Sequence, residues 1–132
     1  MFVKIRISKK RGANEMLKKV FLVEDKHSAK QVGSGDLDVL STPSMIAFME
    51  NVAKKLAESK LQAGETTVGI DLNVKHIKAT AIGREVRIEA NLTQHHKTIL
   101  SYEIFVYEND QLIGKGTHKR AIVNANQFME NL

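Results

Sequence analysis

One amphipathic helix between Ser41 and Gly64, with nothing after it but short alternating strands, restricts this chain to few architectures. Thr42 is a good N-cap, because its hydroxyl can accept from the free amides of the first turn. Pro43 then sits where a missing N–H costs nothing. At ~100° per residue, Met45, Met49, Val52, Ala53 and Leu56 share one arc, and Ala47, Asn51, Lys54, Lys55 and Glu58 lie opposite. The pattern predicts a central helix over 42–63, closed by Gly64, that covers the apolar face of something else.

That something is a sheet. Phe2, Val3, Ile5 and Ile7 alternate as a short strand within a basic N-terminal segment, 1–19, which is interrupted by a polar, Gly-containing break from Lys9 to Asn14. Val20 to Val23 is a second short apolar run. Residues 24–40, with Gly33, Ser34, Gly35, Asp36 and Asp38 and little periodicity, read as a lid-like loop. Strands then fill 66–123. Val68, Ile70, Leu72 and Val74 share one face of the first, and the same count carries His76 to that face. Gly83 breaks the chain before Val86, Ile88, Ala90 and Leu92 alternate with Arg87, Glu89 and Asn91. Leu100, Tyr102, Ile104 and Val106 form a further strand, and Leu112 to Val123 the last, loosened by Gly114 and Gly116. Hairpin connections make the sheet antiparallel. The prediction is a single α+β domain spanning 1–132.

The chain has no cysteine, which excludes disulfides, thiolate metal sites and cysteine nucleophiles and fits a reducing compartment. Its start alternates apolar and basic residues, unlike a signal peptide, and no segment approaches the ~20 apolar residues of a membrane span, so a cytoplasmic, membrane-free protein is expected. A net charge of +5 favours an anionic partner. Lys4, Arg6, Lys9, Lys10, Arg11, Lys18 and Lys19 are spread out, and only two tyrosines and five phenylalanines are available to stack on bases. A solvated basic surface is expected, not a nucleic-acid interface.

Glu50 lies about 140° from Met45, on the edge of the apolar arc. It can face a cleft, or it can form an exposed pair with Lys54 four residues on. His76 is either a strand-end histidine bonded to backbone or a functional group aimed inward. His27, His95 and His96 fall in polar segments and turns and read as surface; no His pair other than the adjacent His95 and His96 is closely spaced, so no metal site is expected.

Thr42 with Glu50 in the helix, GETTVG at Gly64 to Gly69, NVKHIKAT at Asn73 to Thr80 and IGKGTHKR at Ile113 to Arg120 occur in an order and spacing that resemble the hotdog-fold thioesterases, in particular the fluoroacetyl-CoA thioesterase-like group. The resemblance runs from about Val20 to Phe128. It implies a hotdog fold, one long helix wrapped by an antiparallel sheet of about five or six strands. It also implies a homodimer with a continuous sheet and acyl-CoA bound along the interface, and leaves tetramers open. Thr42, Glu50 and His76 stand where the family's catalytic residues belong, and Gly69 where a backbone amide holds the thioester carbonyl. For His118 and Arg120 a packing and dimer role outweighs catalysis, with Arg120 also a candidate for a CoA phosphate. No cofactor is implied beyond the coenzyme A of the substrate.

Eight residues separate Thr42 and Glu50, a rise of ~12 Å along a straight helix, so one thioester touching both calls for a second chain or a broad cleft. Glu50 is the candidate general base or nucleophile, Thr42 holds substrate or water near the positive helix end, and His76 shuttles a proton. Gln31 to Asp38, QVGSGDLD, is polar and has no aromatic to form a hydrophobic lid, which argues against fluoroacetyl selectivity and for a short or medium acyl-CoA. A non-catalytic acyl-CoA-binding module is the alternative. A basic nucleic-acid binder would show steep salt dependence, and the Asp-His arrangement of a hotdog dehydratase is not evident.

Overall fold

In the computed structural model, which describes residues 5–9 and 15–132, six strands form one antiparallel sheet. Of the predicted N-terminal features, Phe2, Val3 and Lys4, and positions 10–14 of the polar break, lie outside the described residues. In chain order the elements are β1 (Ile5–Lys9), β2 (Glu15–Leu22), the short α1 (Ala29–Val32), the long α2 (Thr42–Ala57), β3 (Glu65–His76), β4 (Glu85–His96), β5 (Ile99–Glu108), β6 (Gln111–Asn124) and α3 (Ala125–Glu130). Their order across the sheet is β1-β2-β4-β5-β6-β3, which makes β1 and β3 the edges.

The sheet curls around α2 as the apolar arc requires. Met45, Met49, Val52, Ala53 and Leu56 are all buried, against Val86, Ile88, Ala90, Leu100, Ile104, Val106 and Ile113 from β4, β5 and β6. At Gly114 the helix comes so close that an added Cβ would lie 2.6 Å from Met45 Sδ. The glycine there admits the helix; it does not loosen the strand. The second apolar run is longer than its apolar residues, because Glu15 to Lys19 pair in register with Leu92 to Ile88 of β4. The segment before α2 is partly ordered: a turn of 3-10 helix at Asp25–His27 leads into α1, and isolated bridges pin Ser28 to Leu40 and Val39 to Ala81.

Three expectations are corrected. The N-cap of α2 is Ser41, whose Oγ accepts from the Ser44 amide at 3.1 Å, so Thr42 is already helical and its hydroxyl is released for another contact. The helix ends at Ala57, followed by a 3-10 turn at Glu58–Lys60; Gly64, with φ +82°, serves the next turn instead. Finally, β3 carries a bulge between Gly69 and Asp71, which resets the alternation. Thr67 and Gly69 face the helix before it, and Leu72, Val74 and His76 after it, while Ile70 is turned out and 52% exposed. The predicted apolar face running Val68, Ile70, Leu72 is therefore broken, although His76 still ends on the helix side. Among the described residues, no helix is long and apolar enough to cross a membrane.

Candidate active site

Two polar groups sit where α2 meets β3 and β6. The first is at the helix start. With Ser41 occupied as the cap, Thr42 Oγ1 lies 2.7 Å from His76 Nδ1, at the end of β3. The other ring nitrogen, His76 Nε2, is buried and has no hydrogen-bond partner among the described residues. Burial holds the imidazole below the usual histidine range, with partial compensation from the backbone at Lys78. A cavity of about 320 Å³ opens beside this pair, lined among others by Ala29, Ser34, Val39, Thr42, His76 and Ile77.

The second group lies two turns further along α2. Glu50 does not pair with Lys54; its Oε2 is 3.2 Å from Arg120 Nη1 and 3.8 Å from His118 Nε2. The surface-pair reading fails because β6 brings the Arg120 guanidinium to the helix side, where it donates to Glu50, with His118 two residues earlier on the same strand face. Arg120 is 6% exposed. Its Nε donates to Thr67 Oγ1 at 2.8 Å and its Nη2 to the Thr67 carbonyl at 3.2 Å, while Nη1 meets both Glu50 and His118 Nε2. Within this chain the guanidinium of Arg120, the candidate for a CoA phosphate, is buried and directed at Glu50 and Thr67. Gly69 lies directly under the carboxylate, and a Cβ built there would come within 2.5 Å of Glu50 Oε2. Any side chain at 69 would displace the group that Arg120 holds.

The structure thus joins Thr42 to His76, and Glu50 to Gly69 and Arg120, as two groups spaced along one helix. Thr67 and His118 were not singled out as part of the site. Their signal was faint: GTHKR places His118 and Arg120 on one strand face, but what they face, Glu50, is about seventy residues away in the chain.

A single helix wrapped by an antiparallel sheet is the architecture of the hotdog proteins. The chain superposes on a hot-dog-like protein from Thermanaerovibrio acidaminovorans with a TM-score of 0.80 at 15% identity, covering 88% of this chain and 86% of that one. A likeness at that identity speaks for fold only. The family described as fluoroacetyl-CoA-specific thioesterase matches residues 23–126. The fluoroacetyl-CoA thioesterase of Streptantibioticus cattleyicolor is 30% identical over 91 residues, 69% of this chain and 66% of that protein. A Phe→Ala mutant of a fluoroacetyl-CoA-specific thioesterase, in complex with fluoroacetate and CoA, superposes with a TM-score of 0.83 at 25% identity, covering 87% of this chain and 97% of that one. The chain belongs to the fluoroacetyl-CoA-specific thioesterase family, and so to a family of thioester hydrolases.

Proposed function

We propose that this protein is a homodimeric acyl-CoA thioesterase that hydrolyses a short or medium acyl thioester to the acid and free CoA without selectivity for fluoroacetyl. The observation that carries the proposal is the 2.7 Å contact between Thr42 and His76 at the mouth of a cavity, with the second ring nitrogen left unpartnered among the described residues. A hydroxyl and an imidazole in hydrogen-bond reach are the arrangement by which a reacting group is held and a proton moved.

The roles follow from the atoms. The described contacts of Glu50 run through Oε2, leaving Oε1 to take a proton from water or to attack the thioester carbonyl itself. The oxyanion that forms requires a donor close by, and the Gly69 amide is offered by a backbone with no side chain in the way. Collapse expels the thiolate of CoA, which is protonated in the course of release; His76, neutral at rest and hydrogen-bonded to Thr42, relays that proton. The ~12 Å helical rise between Thr42 and Glu50 is too long for both to bond one thioester carbonyl. A site assembled from the Thr42 and His76 of one subunit and the Glu50 and Gly69 of another resolves the distance, and is the reason for the dimer.

Selectivity follows from the segment ahead of α2. No aromatic occurs between Gln31 and Asp38, and its one large apolar residue besides Val32, Leu37, is 68% exposed and not folded over the cavity. The small side chains of Ala29 and Ser34 line the wall there instead. Such a wall gives little to distinguish a fluoromethyl from a methyl or a longer chain.

The test is thiol release from acetyl- through decanoyl-CoA, with phenylacetyl- and fluoroacetyl-CoA, by wild type beside Glu50→Gln and His76→Ala. Turnover that falls in both variants supports the proposal. Saturable CoA binding without turnover on any ester would establish the non-catalytic module instead. A fluoroacetyl preference over acetyl would overturn the selectivity, and an active monomer by sedimentation would overturn the shared site.

A further inference from the structure

His118 is among the most completely enclosed titratable side chains of the described residues, at 2% exposure, and the chemistry above makes no use of it. Its surroundings fix its protonation state. Nδ1 lies 2.8 Å from the Asp71 carbonyl oxygen. A carbonyl only accepts, so Nδ1 carries the proton, and in the neutral ring Nε2 is then an acceptor. That acceptor meets Arg120 Nη1 at 3.2 Å. The ring is held from the β5 side by Tyr102, stacked at 5.8 Å between centroids. The bulge in β3 serves both ends of this arrangement: on one side of it Gly69 makes room for the Glu50 carboxylate, and on the other Asp71 offers its carbonyl to His118.

The guanidinium of Arg120 is therefore gripped at several points: Thr67 Oγ1, the Thr67 carbonyl and His118 Nε2 take three contacts, and the remaining Nη1 contact goes to Glu50. With three acceptors fixed to strands, the direction in which the last N–H points is fixed as well. We propose that His118 is a positioning residue for Glu50: as the neutral Nδ1–H ring it orients Arg120, which orients the carboxylate, and protonation of His118 releases that hold. This inference rests on Glu50 as the working carboxylate of the thioesterase proposed above.

Protonation would place a second N–H at Nε2, opposite Arg120 Nη1, so that two donors and two positive charges face each other, and Glu50 Oε2 at 3.8 Å would be drawn from the arginine to the ring. The charged groups facing His118 come from three elements: Glu50 on α2, Asp71 on β3 and Arg120 on β6, with the neutral Tyr102 from β5. Burial, joined by Arg120, holds the imidazole below the usual histidine range against the Asp71 carbonyl and the Glu50 and Asp71 carboxylates, which raise it. At neutral pH the ring is in its orienting form.

The experiment uses the full-length protein. Ring-nitrogen NMR across about pH 5 to 8 reads the tautomer directly, in wild type and in Glu50→Gln. The expected result is an Nδ1–H ring at neutral pH whose titration moves lower when Glu50 loses its charge. Thiol release is then compared for wild type, His118→Leu and His118→Gln, whose side-chain oxygen replaces the Nε2 acceptor. His118→Leu should lose about 10-fold to 10²-fold in kcat with little change in KM, as for a misdirected rather than missing group, and His118→Gln should recover most of that loss. In wild type the acidic limb should be steeper than one proton, because His76 and His118 both contribute, and in His118→Gln it should relax to one. An Nε2–H ring at neutral pH, a folded His118→Leu with wild-type kcat, or a glutamine variant no better than leucine would each overturn the inference. If His118→Leu does not fold, the NMR and the glutamine pH profile decide. No turnover by wild type would instead sink the thioesterase proposal, whereas turnover with indifferent His118 variants sinks this one alone.

Discussion

The start of α2 and its middle treat their polar groups in opposite ways. At the start, Thr42 and His76 share one hydrogen bond beside an open cavity, and a buried ring nitrogen is left without a partner among the described residues. In the middle, Arg120 alone makes four contacts, and Glu50 is locked from below by Gly69 and from the side by β6. An unmet buried polar atom costs about 1–3 kcal/mol, and His76 Nε2, beside a cavity, is placed where the substrate of the proposed reaction would supply the missing bond. A satisfied network has the reverse meaning: its groups are already oriented and need not move when charge develops. On the proposed function, one half of the site awaits its ligand, and the other is prepared before the ligand arrives.

The sharpest way to break this contrast is to remove each half's acting group. Glu50→Gln and His76→Ala should each lower kcat/KM by about 10²-fold to 10⁴-fold in thiol-release assays; a large loss in only one would mean that the chemistry resides in one half. Arg120→Met should act on stability as well as rate. It strips donors from Thr67, His118 and Glu50 together, and chemical denaturation should report a loss of about 3 kcal/mol, near the low end for a broken buried pair because the Glu50 side chain is 41% exposed. The pH dependence of stability distinguishes the halves less strongly. His27, His76 and His118 are all held, mainly by burial, below the ordinary value of 6.5. The unfolded chain then binds protons that the folded one resists, so their contribution is full above pH 6.5 and is lost as pH falls through 6.5 toward the lower native values. Thermal melts should drop progressively through that window, and a melting temperature that rises on acidification would contradict the burial of these rings. The smallest effect is the most discriminating within the helix start: Ser41→Ala should cost about 1 kcal/mol of stability with unchanged turnover, while the adjacent Thr42→Ala should do the reverse.

The helix and its apolar arc were legible because periodicity is local: Met45, Met49, Val52, Ala53 and Leu56 announce their common face within twelve residues, and all of them are buried. The antiparallel strands after it were legible for the same reason. The cap was misassigned between two neighbouring hydroxyls, Ser41 and Thr42, since both satisfy the composition rule and only the backbone angles choose. The bulge in β3 was invisible because alternation can be read straight through Gly69 and Ile70, with nothing in either residue to say that the register shifts there. Contact between Glu50 and Arg120 was beyond reach of any spacing argument, as it joins a helix to the last strand. For that reason the sequence made Glu50 ambiguous between water and cleft, and made Arg120 a candidate for phosphate.

The bulge also makes chain length at one point of β3 independent of which side chains face the helix. Thr67 and Gly69 are odd-numbered and His76 is even-numbered, yet all three serve the helix side, and one supernumerary residue at position 70 reconciles the parity. Deleting Ile70, whose side chain is half exposed and packs on little, would remove less apolar contact than many tolerated substitutions. It would join Gly69 to Asp71 across a ladder in which they already face the neighbouring Arg120 and Lys119, so Gly69, Leu72 and His76 would all keep the helix side, and only the extra bend and twist of the bulge would be lost. Both halves of the candidate site are thus held on one face by the pairing of β3 with β6, and position 70 is where the strand can lose a residue without exchanging its faces.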